Sequence, residues 1–382
     1  MNRLVIIGNG FDMAHGLKTS YMNFINWYWE QRLNALLTEN SAVSEDCLCK
    51  LEIRNTRGYP SWFSYFRTHS WRDVITKEWK CPPLDIINFF KNNPDDFSVT
   101  FSSFFETIMQ SIETKGWVDI ENDYYQLLKR CAENDKCDFS VKELNEQLLF
   151  LQSKLVEYLR TLTGILPISN ILNAIKDKIC IEDLSIKGKA LAKIIDDGIV
   201  FDTNSFDDNR YMNERFSGLE SEHTMLLCFN YTGTAKLYEQ FGGLIVNYIH
   251  GELEHPEHII FGYGDELDKN YQDIRDKNDN ELLRNVKSIR YLETRNYHKM
   301  LDFLEAAPFQ VLIMGHSCGN SDRTLLNTVF EHENCVSIKP FYHIWDDGTD
   351  TYLELVQNIS RNFTNMKLFR DRVVNKEQCQ TM

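Results

Sequence analysis

Short apolar runs, each closed by a cluster of small and polar residues, mark the two ends of this chain. Its middle instead carries apolar residues at three- and four-residue steps. Leu4-Val5-Ile6-Ile7 stops at Gly8-Asn9-Gly10-Phe11-Asp12. Thr224 to Phe229 stops at Asn230-Tyr231-Thr232, Leu244 to Ile249 at His250-Gly251, Glu257 to Phe261 at Gly262-Tyr263-Gly264-Asp265, and Phe309 to Met314 at Gly315-His316-Ser317. Runs apolar on both faces predict buried strands of a parallel sheet. A helix is expected from Ser321 to Phe330, and Val336 to Ile338 and Phe341 to Trp345 are further short strand candidates.

The middle reads differently. Helical spacing covers 21–37, 101–112, 120–131 and 141–162, the last with Leu144, Leu148, Leu149, Leu151, Leu155, Leu159 and Leu162 as one broad buried stripe. The stretch 38–94 is less regular. It is dense in aromatics (Tyr59, Trp62, Phe63, Tyr65, Phe66, Trp71, Trp79), broken by Pro60, Pro82 and Pro83, and is expected to form short helices and loops with those rings as core. The pattern therefore predicts a Rossmann-like α/β domain from 1–37 and 222–382, interrupted by a mainly helical insertion at 38–221.

Composition narrows the partners. A formal charge of −15 over 382 residues argues against a broad nucleic-acid-coating surface, though not against a local basic groove. No secretory signal and no run of about 18 apolar residues is visible, so a cytoplasmic protein without a membrane segment is expected. The ten cysteines are scattered without C-x-x-C spacing and read as free thiols.

The strand ends hold the chemistry. In an open parallel sheet ligands bind at the carboxyl ends of strands, so the Gly8 to Asp12 turn is the first place to look. Glycines at 8 and 10 suit either an ordinary tight turn or a backbone cradle for phosphate, and the third glycine of G-x-G-x-x-G is absent. Asp12 is either a helix N-cap or a ligand-facing carboxylate. Asn230 can orient a water or a ribose hydroxyl, Ser317 can donate to a phosphate, and His250, followed by Gly251, would leave a ring face open as a base near neutrality. A satisfied structural histidine is the alternative.

Other chemistries fit less well. His255 and His258 fall in a turn after Pro256 rather than on one helix face, and no metal is expected. Gly315-His316-Ser317-Cys318-Gly319 matches the G-x-S-x-G nucleophile elbow, but only His332 and His343 follow it to complete a triad. Asp119 and Glu121 read as a charge pair at a helix N-terminus rather than as nuclease ligands.

The run Leu4 to Tyr21, with Trp117-Val118-Asp119-Ile120-Glu121, Phe229-Asn230-Tyr231-Thr232, Ile249-His250-Gly251, Phe261-Gly262-Tyr263-Gly264-Asp265, Gly315-His316-Ser317 and Asp322, resembles the bacteriophage abortive infection AbiH family in order across nearly the whole chain. The resemblance implies a bacterial anti-phage protein that arrests or kills the infected cell. AbiH proteins in turn look distantly similar to sirtuin-type domains, which implies a sirtuin-type Rossmann sheet and NAD(P) as substrate or ligand. On that likeness Gly8, Asn9, Gly10, Phe11, Thr232, Gly251, Gly315, His316, Ser317 and Asp322 would bind the dinucleotide. His250, Asn230 and Asp12 would carry catalysis. Thr232 stands where sirtuins have an aspartate, Asp12 where they have a serine, and their zinc-binding cysteines are missing. The missing zinc module points away from deacetylation and towards NAD(P) glycohydrolysis, while the Asp12 substitution keeps open the alternative of a nucleotide-binding sensor that turns nothing over. Neither the phage trigger nor a homo-oligomer interface is legible.

Overall fold

A computed structural model describes residues 1–38, 43–54, 83–115, 119–133, 137–199 and 218–382. The aromatic stretch from Tyr59 to Trp79, and Trp117 and Val118, lie outside the described residues. Contacts group the chain into two units, one of residues 1–17, 163–272 and 285–382, the other of 18–162 and 273–284. The helix Tyr21–Thr38 thus falls in the second unit and the stretch 163–221 in the first, where the sequence pattern draws its borders at 37 and 222.

The first unit is built on five strands. These are β1 (Asn2–Ile7), β5 (Thr224–Cys228), β6 (Leu244–Tyr248), β7 (Phe309–Met314) and β8 (Cys335–Phe341), numbered after three strands of the other unit, and they pair in the order β6-β5-β1-β7-β8. Every pairing is parallel, with Ile7 opposite Cys228 on one side and Met314 on the other. The chain steps outward from β1 to β5 and β6, then returns to lay β7 against the other edge of β1. That reversal makes a topological switch point at the carboxyl ends of β1 and β7, the place where ligands bind in open α/β sheets.

Alternation along each strand feeds two cores. Leu4, Ile6, Met225, Leu227, Val311 and Ile313 pack on one face under helices that supply Met300, Phe303, Leu326, Val329, Leu355 and Ile359. Val5, Ile7, Leu226, Cys228, Leu312 and Met314 pack on the other, under Phe11, Ile171, Ile175, Ala235 and Tyr238. Each such side chain contributes roughly 1.5–3 kcal/mol of burial, which fixes β1 in register.

Two strand expectations are corrected. Glu257 to Phe261 is no strand: Pro256–His258 forms a single 3-10 turn, and the chain beyond it runs past His250, to whose carbonyl Ile260 N–H donates at 2.9 Å. Of the two short candidates, Val336 to Ile338 lies within β8, which takes in Pro340 and ends at Phe341, whereas Tyr342 and Ile344 beyond it make only isolated bridges.

The second unit is not purely helical. It contains an antiparallel sheet of β2 (Val43–Glu45), β3 (Cys49–Ile53) and β4 (Phe97–Phe101), so Phe101 ends a strand instead of opening a helix. The predicted helices appear as Ser103–Lys115, Ile120–Glu133 and Val141–Arg160, the last opened by a Ser140/Glu143 capping box. Asp119 is the N-terminal cap of its helix, accepting from Asn122 N–H at 3.1 Å.

Candidate functional site

The turns after β1 and β7 are packed backbone against backbone. A Cβ on Gly10 would lie 2.8 Å from Gly315 Cα, and one on Gly315, whose φ is +71°, would lie 2.0 Å from Phe11 N. Gly8 N–H donates to Met314 O, Gly10 N–H to Gly315 O at 2.8 Å, and Phe11 N–H to Gly8 O. These glycines are therefore required by each other, and the three amides proposed as a phosphate cradle are already donated within the protein. Asn9 and Ser317 are exposed beside them. Asn230 Nδ2 donates to Gly8 O at 2.9 Å, which ties the β5 loop to the same turn.

Asp12 is not the helix N-cap. Gly8 holds that position without a side-chain bond, while Asp12 is 1% exposed and accepts from Thr232 Oγ1 at 2.5 Å. Its Oδ1 has no hydrogen-bond partner among the described residues. Burial raises its pKa, against the lowering effect of the hydroxyls of Thr232 and Thr234. His15, one turn on, donates from Nδ1 to Phe11 O and meets the Tyr238 hydroxyl through Nε2, each at 2.7 Å.

Past the carboxyl ends of the strands one buried carboxylate gathers three cationic or imidazole side chains. Asp322 Oδ1 receives Lys287 Nζ at 2.8 Å and faces His250 Nε2 at 3.3 Å, and its Oδ2 faces His316 Nε2 at 3.6 Å. All four residues are buried. Burial alone would raise the Asp322 pKa, but Lys287 and the two imidazoles hold it well below the usual carboxylate range. Burial and the Lys287 ammonium push His250 down to about 4, so its imidazole is neutral at pH 7. A carboxylate only accepts, which puts the His250 proton on Nε2 and leaves Nδ1 as the basic atom. Tyr291 OH lies 3.1 Å from the same Nε2, and Phe229 packs against both imidazoles.

The family model for bacteriophage abortive infection AbiH matches residues 4–343. The chain belongs to the AbiH family. Membership implies an anti-phage abortive-infection role. No curated protein and no solved structure matches the chain. The AbiH match takes in every strand-end cluster described above together with Lys287 and Asp322, and ends before the α-helices Tyr352–Arg361 and Met366–Arg372 of this AbiH protein.

Several expected features sit differently from the sequence reading. Gly251, with φ of +84°, is required by its own backbone, because His258 O lies 2.5 Å from where a Cβ would stand. Ser317 Oγ has no hydrogen bond among the described residues, so G-H-S-C-G builds no Ser–His pair. Lys287 and Tyr291 carry no signal in the sequence. Lys287 lies 35 residues from Asp322 in a polar stretch, and only the fold reveals their pairing. Among the described residues no helix is long and apolar enough to cross a membrane.

Proposed function

We propose that this AbiH protein acts in abortive infection by cleaving NAD(P), through a site of sirtuin type at the carboxyl ends of β1 and β7. The observation that carries the reading is the Asp322 carboxylate with its buried Lys287, beside a neutral His250. Loss of nicotinamide from the ribose develops oxocarbenium-like charge at C1′, so the site needs an oriented water and a fixed electrostatic field more than a strong nucleophile. The C1′–N bond breaks with its electrons on nicotinamide, water adds to C1′, and the released proton passes to His250 Nδ1. Asn230 orients the water. With the Gly8, Gly10 and Phe11 amides donated elsewhere, the pyrophosphate rests on the Ser317 hydroxyl and the Asn9 side chain. Asp12, buried against Thr232, holds the β5 loop on the turn rather than touching the sugar.

A second reading, a sensor that binds a nucleotide without turnover, is favoured by one observation: His250 is only 3% exposed. Expression in bacteria separates the two. The proposal expects phage infection to deplete cellular NAD(P) with wild type and not with His250→Ala. Protection from phage that survives His250→Ala with nucleotide pools intact overturns cleavage and leaves the sensor.

A further inference from the structure

The turn that carries His316 and Ser317 is held from outside the segment matched by the AbiH family. Asn358 Nδ2 donates to Ser317 O at 3.0 Å, and Asn362 Nδ2 donates to Cys318 O at 2.9 Å. Both asparagines belong to the end of the helix Tyr352–Arg361, with Asn362 as its C-cap. Asn362 is fully buried and is itself fixed by Asn327, whose Nδ2 donates to Asn362 O at 2.9 Å.

The held peptides are unusual ones. Cys318 has a φ of +54°, a left-handed conformation that a residue with a Cβ adopts only when its surroundings impose it. In that conformation Cys318 N–H points back and donates to His316 Nδ1 at 3.0 Å. An imidazole nitrogen that accepts carries no proton, so the His316 proton resides on Nε2, the atom facing Asp322. Two carbonyl clamps thereby reach a ring they do not touch.

We propose that Asn358 and Asn362 are positioning residues: by gripping the Ser317 and Cys318 carbonyls they keep Cys318 left-handed and so set the tautomer of His316. The C-terminal segment is anchored independently of this grip. Val374 N–H donates to Ile338 O at 2.9 Å, Met382 N–H to Tyr342 O at 3.0 Å, and Glu331 accepts from the amides of Thr364 and Asn365. Its Leu355, Ile359 and Phe363 also lie in the core. Removal of either amide leaves those anchors in place.

Nitrogen-15 NMR of the histidine side chains tests this, with the His316 signals assigned by His316→Gln. Wild type, Asn358→Ala, Asn362→Ala and the double variant are compared with Asn365→Ala. Asn365 caps the helix Met366–Arg372 through Lys367 N–H and grips no part of the turn. The expected result is a single Nε2–H tautomer of His316 in wild type and Asn365→Ala, and signals averaged between tautomers in the clamp variants. Half-buried Asn358 supplies a folded variant should the Asn362 substitutions unfold. Nicotinamide release should fall about tenfold in kcat with little change in KM, the worth of one or two hydrogen bonds. That kinetic arm alone rests on the proposed NAD(P) cleavage. Wild type without turnover would refute the cleavage and leave the tautomer result to decide the clamp. An unchanged His316 tautomer in folded clamp variants, or an equal change in Asn365→Ala, overturns it.

Discussion

Asp12 and His250 are both buried in the first unit, yet burial has opposite consequences for them. For Asp12 the folded pKa is raised, so the native state holds its proton more tightly than the unfolded chain does, and the charged form costs stability as pH rises above about 4. Asp12→Asn, which removes the charge and keeps an acceptor for Thr232, is expected to hold or raise the melting temperature at pH 7. Asp12→Ala, which strips Thr232 of its acceptor, should lose about 1–3 kcal/mol in urea unfolding. For His250 the folded pKa is about 4, against about 6.5 for a free imidazole, so the unfolded chain binds the extra proton. Its contribution is complete above pH 6.5 and is lost as pH falls towards 4, a difference on the order of 3 kcal/mol. Urea titrations across that window should show a steeper acid loss in wild type than in His250→Gln, and equal slopes would refute a depressed His250 pKa. Asp322→Asn leaves the Lys287 ammonium buried without its carboxylate and is expected to cost about 3–5 kcal/mol in the same assay.

At the scale of elements, the decisive feature is the mutual packing of the β1 and β7 turns. Gly315→Ala would force a Cβ to within 2.0 Å of Phe11 N at a φ of +71°, so soluble folded protein should be lost. Gly16→Ala, at a similar φ but with open space around it, should cost only the left-handed penalty of about 1–2 kcal/mol. Comparable stabilities for the two would mean that the turns do not pack as described. The strands that meet there were legible because Leu4 to Ile7 and Phe309 to Met314 are apolar on both faces, a pattern only a covered parallel sheet explains. Strand β3 was missed, because the pattern predicts short helices and loops over 38–94: Cys49-Lys50-Leu51-Glu52-Ile53 does alternate apolar and charged residues, but five residues of period two are easily passed over beside a long aromatic run. Glu257 to Phe261 misled because apolar residues buried in a loop, one of whose amides donates to His250 O, look the same in sequence as residues in a ladder.

Across the whole molecule, sequence order could name Asn230, His250 and Ser317 as strand-end groups, because β-strand ends of a doubly wound sheet converge wherever they lie along the chain, while Asp322 was reached only through the resemblance to the AbiH family. Sequence order could not reveal which group sits at the centre. Asp322 takes that place only through Lys287, and the positions of Asp12 behind Thr232 and of Asn362 behind Cys318 are set by pairings across 220 and 44 residues. Membership of the AbiH family sets the biological frame of abortive infection, and the proposed NAD(P) cleavage assigns its chemistry to the Asp322 cluster. The most direct measurement is chromatography of NAD(P) incubated with purified wild type, His250→Ala and Asp322→Asn. Stoichiometric nicotinamide and ADP-ribose (or its 2′-phosphate) from wild type, with neither formed by a folded His250→Ala, is the predicted outcome. Intact dinucleotide recovered from all three, or equal release from wild type and His250→Ala, would contradict NAD(P) cleavage at this site.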